Sequence, residues 1–170
     1  MPVGRRLEAM IRAAWPDVAV SEHDRVDILV GVRTPADVDL LVVLDLKTPQ
    51  ELPAQRRRQG GASQPAQIGS AIIAIEVKQL DVDCFSPIGN QLFPAYDGKP
   101  GRRSVAQQAR VAAHSVAAFA RQSGSDPFVH SLAWLTELEE EPLRTIEPMV
   151  LGKATTWFAM LDAAMLCATL

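Results

Sequence analysis

Residues 70–80 read SAIIAIEVKQL, and residues 38–46 read VDLLVVLDL. Each is a nearly continuous apolar run, the pattern of a strand buried on both faces. Each nevertheless carries charge: Glu76 and Lys78 in the first run, Asp39 at the head of the second. The two-residue period of a strand puts Glu76 and Lys78 on one face. Burying an unpaired ion costs several kcal/mol, so these three groups are expected to pair with one another or with a cation. Two core strands that share an ionic site predict an α/β domain with that site at a sheet edge.

Outward from these strands, the chain alternates helical and extended patterns. Leu7, Met10, Ile11 and Ala14 recur at helical spacing and predict a first helix ending near Trp15-Pro16. Val18 to Val32 contains β-rich pieces, and Thr34-Pro35-Ala36 reads as a turn. Residues 47–69, KTPQELPAQRRRQGGASQPAQIG, lack apolar periodicity and predict a long surface loop. A short strand is expected around Gln91-Leu92-Phe93, with a turn at Asp97-Gly98-Lys99-Pro100. Ser104 to Gln122 is the clearest helix, with Val105, Ala109, Ala112, Val116 and Phe119 as its buried stripe, Ser104 as N-cap and Gly124 past its end. Phe128 to Leu135 and Thr145 to Val150 read as strands, and Thr155 to Leu170 as a final helix. Trp15, Trp134 and Trp157 read as packing residues. The expected architecture is one domain over 1–170, a central mixed sheet of about four or five strands flanked by helices.

Composition narrows the function class. The 170 residues are 48% hydrophobic and 22% charged, ordinary for a globular chain. No apolar run approaches the roughly 20 residues of a membrane span, and the first segment carries charge where a signal peptide would not. No membrane association and a cytoplasmic location are therefore expected. Cys84 and Cys167 form no CxxC, and the three histidines are scattered, which argues against a zinc site. A net charge of −3 argues against coating nucleic acid by bulk charge, though not against local basic clusters. The chain stops in apolar residues without a C-cap, which raises the expectation of sequence beyond Leu170.

Two carboxylates at one strand edge suit Mg²⁺ or Mn²⁺, hard ions that favour oxygen ligands. Asp39 and Glu76 are the expected ligands, with the backbone carbonyl of Val77 as a third. Such an ion polarises a phosphodiester oxygen and lowers the pKa of a bound water. Lys78 is read as a cation offsetting charge in the transition state, and not as a general base. Plainer readings stand beside these. Glu76 and Lys78 can be an ion pair at a strand end, and Asp39 can cap the preceding turn. Asp37 shares its strand parity, and Asp45-Leu46-Lys47 repeats the D-x-K spacing at a strand end.

This ordered pattern, an Asp in one strand followed by E-x-K in the next, resembles the PD-(D/E)xK nuclease superfamily and, more narrowly, its nuclease-related domain (NERD) family. Residues 36–43, ADVDLLVV, resemble the family's acidic strand, and Ala71 to Lys78 its strand ending in I-E-V-K. Gln107-Gln108 resembles its helical glutamine, and Arg5 to Asp17 its opening helix ending in Pro-Asp. The likeness spans roughly residues 4–135. It implies an Mg²⁺-dependent DNA nuclease, or a module derived from one, that works beside a helicase or other DNA-processing partner. Two departures stand out. The family's early acidic position falls on Gly4, with Glu8 one turn later as its substitute. The 47–69 segment replaces a short turn.

Gln108 lies on the helix face of Val105 and Ala112, where an inward amide orients water or phosphate, or is simply a satisfied buried group. Arg56, Arg57, Arg58, Arg102 and Arg103 are the candidate nucleic-acid contacts, with Arg110 beside them; a solvated charge cluster is the plain alternative. His114 reads as helix surface. Three functions follow: a metal-dependent deoxyribonuclease, a catalytically inactive nucleic-acid-binding or protein-interaction module, and a structural domain. Strandedness, endo or exo action and oligomeric state are open at this level.

Overall fold

The computed structural model describes residues 2–14, 23–56, 64–89, 91–137 and 157–158. Helix α1 spans Val3–Ala14, and strand β1 follows at Arg25–Arg33. Strands β2 (Asp37–Arg56) and β3 (Gln64–Lys78) carry the two apolar runs. A 3-10 turn at Val82–Cys84 leads into β4 (Phe85–Ile88), β5 (Gln91–Tyr96) and β6 (Lys99–Pro100). Helix α2 spans Val105–Gln122, and β7 spans Val129–Leu135.

Among the described residues the fold is α/β: a mixed sheet in the order β1-β2-β3-β7, a small antiparallel sheet β4-β5-β6, and two helices. Strand β2 pairs antiparallel with β1 and β3, and β7 pairs parallel with β3. The crossover from β3 to β7 runs through the small sheet and α2, as a parallel pair requires. Asp97 and Gly98, at φ 51° and 71°, form the tight turn between β5 and β6.

The sheet buries both faces because its strands are apolar at successive positions. On one face, Leu7 and Ile11 of α1 pack against Leu40, Val42, Leu44, Ile73, Ile75, Leu132 and Trp134. On the other, Ala112, Ala113 and Val116 of α2 meet Val38, Leu41 and Ala74. The first turn of α2 packs on Ala133 and Leu135 with Phe85 and Leu92. The N-terminus of α2 therefore lies over the carboxyl ends of β3 and β7, where Glu76 and Lys78 are.

Three expectations are corrected. Residues 47–56 and 64–69 are not a loop: they prolong β2 and β3 into a ribbon that pairs as far as Arg56↔Gln64. Ladder hydrogen bonds need no apolar periodicity, and Pro49, Pro53 and Pro65 are tolerated where each strand has one partner and the register shifts. Phe119 is 53% exposed and does not belong to the buried stripe of α2. Trp157–Phe158 is strand and not helix, a two-residue β8 added parallel to β7; backbone pairing overrides the helical apolar spacing there. Strand β4 was unexpected, because its FSPI sequence has neither length nor alternation. Thr145 to Val150 and the rest of the expected C-terminal helix lie outside the described residues. Among the described residues, no helix is long and apolar enough to cross a membrane.

Candidate functional site

Asp39 sits at an irregularity in β2. Val38 packs in the α2-side cluster, whereas Leu40 packs in the α1-side cluster. Gly31, facing Asp39 across β1, adopts φ +63°, a conformation glycine accepts without steric cost. The β2–β3 ladder ends at Leu40↔Ile75. Beyond that point the Asp39 carboxylate takes the place of a backbone acceptor: its Oδ2 accepts from the Val77 N–H at 2.8 Å. Asp39 itself is solvent-exposed.

Glu76 and Lys78 follow on β3. Glu76 is buried, with the residue only 9% exposed, and its carboxylate accepts a 2.5 Å hydrogen bond from Lys78 Nζ. Burial pushes the Glu76 carboxyl above its ordinary range. The Lys78 hydrogen bond and charge pull it back, and the Asp39 charge pushes it further up. That last influence places Asp39 and Glu76 within electrostatic reach of each other. The N–H and C=O of one strand residue project from the same edge, so the Val77 carbonyl shares the β2-side edge with the Val77 N–H. Lys78 belongs to the opposite edge, where its carbonyl accepts from the Thr136 N–H at 3.0 Å.

Glu76 and Lys78 are thus an ion pair, with Asp39 bound to the peptide between them. The Asp39 carboxylate, the Val77 peptide it binds and the flanking Glu76 carboxylate all belong to the stretch where the β2–β3 ladder stops. That oxygen-only set fits a hard divalent ion that completes its shell with water or a phosphate oxygen. Among the described residues, no group of three or more His, Cys, Asp or Glu converges as a metal site, so the described residues supply two carboxylates at most.

Other expected residues fall elsewhere. Glu8 is exposed on α1 and pairs with Arg12 at 2.7 Å; it is not brought to Asp39 and Glu76, because the buried edge of α1 packs on the opposite sheet face. Gly4 cannot take the family's acidic role without displacement, since a Cβ there would lie 2.8 Å from Val30 Cγ2. Gln108 donates through Nε2 to the Arg103 carbonyl at 3.0 Å, so its amide holds the loop before α2 and does not reach the carboxylates. Arg102 and Arg103 are exposed in that loop, at the Lys78 end of the sheet. Arg56 ends β2, about 55 Å along the strand from Asp39 at roughly 3.3 Å per residue. Arg57 and Arg58 lie outside the described residues. Asp45 accepts from Ser70 Oγ at 2.9 Å across the β2–β3 ladder; it lies inside β2, not at a strand end as its D-x-K spacing before the Pro-rich tract suggested. His114 is on the helix surface.

Sequence reasoning missed two residues here. Gln107 completes a capping box with Ser104, fixing the start of α2; the S-x-x-Q spacing was its signal. Arg6 donates to the Thr136 carbonyl at 3.3 Å and lies 5.7 Å from the Trp134 ring centroid. It thereby braces the strand end beside Lys78, and nothing in the sequence announced that. Compared with family models, curated proteins and solved structures, the chain matches none.

Proposed function

We propose that the chain is a nuclease-related domain of the PD-(D/E)xK type that hydrolyses phosphodiester bonds in DNA with a divalent metal. The observation that carries this reading is the meeting of Asp39, buried Glu76 and Lys78 where β2 and β3 separate. Asp39, Glu76 and the Val77 carbonyl would hold Mg²⁺ or Mn²⁺. The ion supplies Lewis-acid polarisation and a water of lowered pKa.

The residues of the chain do the rest. Glu76 is held by burial where a cation is a better partner than water. With Glu76 serving as a ligand, Lys78 would be the residue whose ammonium donors serve a phosphate oxygen. A preorganised donor of this kind is worth about a hundredfold to a thousandfold in rate. Arg102 and Arg103, exposed at the same end of the sheet, would contact the flanking phosphates.

A second reading is favoured by the closed bonding of the site. Asp39 is bonded to Val77, and Glu76 to Lys78, and among the described residues no third carboxylate joins them. A nuclease-derived module that binds without turnover would have this arrangement. A cleavage assay on plasmid and single-stranded DNA with Mn²⁺ separates the two readings. The nuclease is expected to nick or degrade DNA only with metal. Lys78→Ala should lower the rate about a hundredfold or more, and Glu76→Ala should abolish it. Metal-independent DNA binding with no cleavage would establish the module instead.

A further inference from the structure

We propose that the chain takes single-stranded DNA, and that Tyr96 is the platform on which an unpaired base stacks beside Arg102 and Arg103. This rests on nucleic acid being the ligand, as in the reading above, but not on turnover.

The β5–β6 hairpin sets the geometry. Its turn, at Asp97 and Gly98, is closed by the Tyr96↔Lys99 pair. The chain then bends at Gly101, whose N–H donates to the Pro94 carbonyl at 2.7 Å. A Cβ at Gly101 would lie 3.0 Å from that carbonyl and 3.7 Å from Tyr96 Cε2. One edge of the Tyr96 ring therefore lies against the backbone that leads into Arg102 and Arg103. Ser104 follows, buried as the N-cap of α2, and Gln108 Nε2 donates to the Arg103 carbonyl at 3.0 Å. The loop is thus tied to β5 at one end and to α2 at the other. The first turn of α2 packs on Leu135, which pairs with Lys78. Ring and arginines are carried to the Lys78 end of the sheet.

Charge selects the partner. Lys99, Arg102 and Arg103 are exposed. Residues 96–103 hold these three cations against Asp97 alone, a net of +2 in a chain of −3. Elsewhere on the surface Arg12, Arg25 and Arg121 each pair with a carboxylate. Among the described residues, Lys99, Arg102 and Arg103 have no such partner. Cations left unpaired in an acidic chain draw a polyanion to this patch.

The ring selects the strandedness. Tyr96 is 55% exposed, so its ring is not spent on packing. In a duplex the base pairs cover one another's faces, and a surface aromatic finds a base to stack on only at an end. A single strand offers a π-face at every base, and its binding sites combine cations along the backbone with aromatic rings under the bases. One such stack is worth about fivefold to a hundredfold in affinity.

The test is fluorescence anisotropy with the full chain, in chelator, on a labelled DNA strand of about a dozen nucleotides and on the duplex of the same sequence. The parent is expected to bind the strand more tightly than the duplex, by about fivefold or more. Tyr96→Ala should weaken strand binding by about that factor and narrow the preference. Tyr96→Phe keeps the ring and should recover most of the affinity. Combining Arg102→Ala and Arg103→Ala should lower the log–log salt slope by about 0.7 for each phosphate no longer neutralised. Tyr96 is the only tyrosine of the chain, so its ring NMR signals are unique. They should move upfield as the strand is added, which reports on the parent without any substitution. No strand preference in the parent, an alanine variant that binds as the parent does, a phenylalanine variant as weak as alanine, or unmoved tyrosine signals overturns the proposal. A parent that cleaves DNA with Mn²⁺ yet shows no strand preference would overturn it and leave the nuclease reading standing. Tyr96-dependent strand binding with no cleavage in Mn²⁺ would overturn the nuclease reading alone.

Discussion

Val38 packs toward α2 and Leu40 toward α1, and Asp39 between them is turned to the seam with β3. Its carboxylate is at once a structural cap and a ligand candidate, and two substitutions separate the roles. Asp39→Asn keeps an acceptor for the Val77 N–H and should leave stability nearly unchanged. Asp39→Ala removes it and should cost about 1 kcal/mol in denaturant unfolding, because the exposed N–H regains water. Both should abolish metal-dependent cleavage; an Asn variant with parental activity would reduce Asp39 to a cap. Glu76 makes a pH prediction. Its folded pKa is raised, first by burial, so the folded state binds the proton more tightly than the unfolded chain. In chelator, its contribution to stability is greatest below the ordinary carboxylate range and declines as pH rises through the folded value. His130 has the opposite sign. Burial lowers its pKa, and its buried Nδ1 has no hydrogen-bond partner, so its contribution is full above the ordinary histidine range and is lost as pH falls toward the folded value. Thermal unfolding from acid to neutral pH should show the Glu76 slope flatten in Glu76→Gln while the His130 slope remains.

At the scale of elements, what could be read in the sequence depended on what holds each element. The apolar parts of β2 and β3 were legible because burial on both faces leaves a continuous hydrophobic run, and ionic residues stand out against it. The start of α2 was legible for a different reason: its cap is local, with Ser104 and Gln107 three residues apart. Ser104→Ala should therefore cost about 1 kcal/mol, measured by urea unfolding, and Ser104→Asp should restore most of it. A variant as stable as the parent would mean that packing of Val105 and Ala109 alone fixes the helix start. The ribbon was illegible because its backbone pairs without burying a core, so a Pro- and Gln-rich tract read as loop. The same limit applied to the candidate site. Asp39, Glu76 and Lys78 are discordant within apolar strands, which the sequence displays. The faces of α1 and the reach of β2 are properties of packing, which it does not. Hence Glu8 falls to a site that α1 does not face, and Arg56 to one group with Arg102 and Arg103, which lie at the other end of the sheet.

Across the molecule, the carboxylates sit at one end of the sheet, where β2 begins and β3 ends. A cation bound by Asp39 and Glu76 would tie β2 to β3 beyond the point where their ladder stops, and it would bind the folded chain but not the unfolded one. Linkage then requires that metal raise global stability by RT ln(1 + [L]/Kd), about 2.7 kcal/mol at a hundredfold excess over Kd. For a chain of this size that is an increase of about 5–10 °C in Tm. Mn²⁺ titration followed by calorimetry should show this shift in the parent, and chelator should reverse it. Glu76→Ala and Asp39→Asn should show little of it, even though Asp39→Asn keeps the Val77 hydrogen bond. A parent whose Tm is indifferent to Mn²⁺ would mean that Lys78 is the only cation Glu76 holds. The charges at the strand ends would then be an internal ion pair beside a sheet cap, with no divalent site between them.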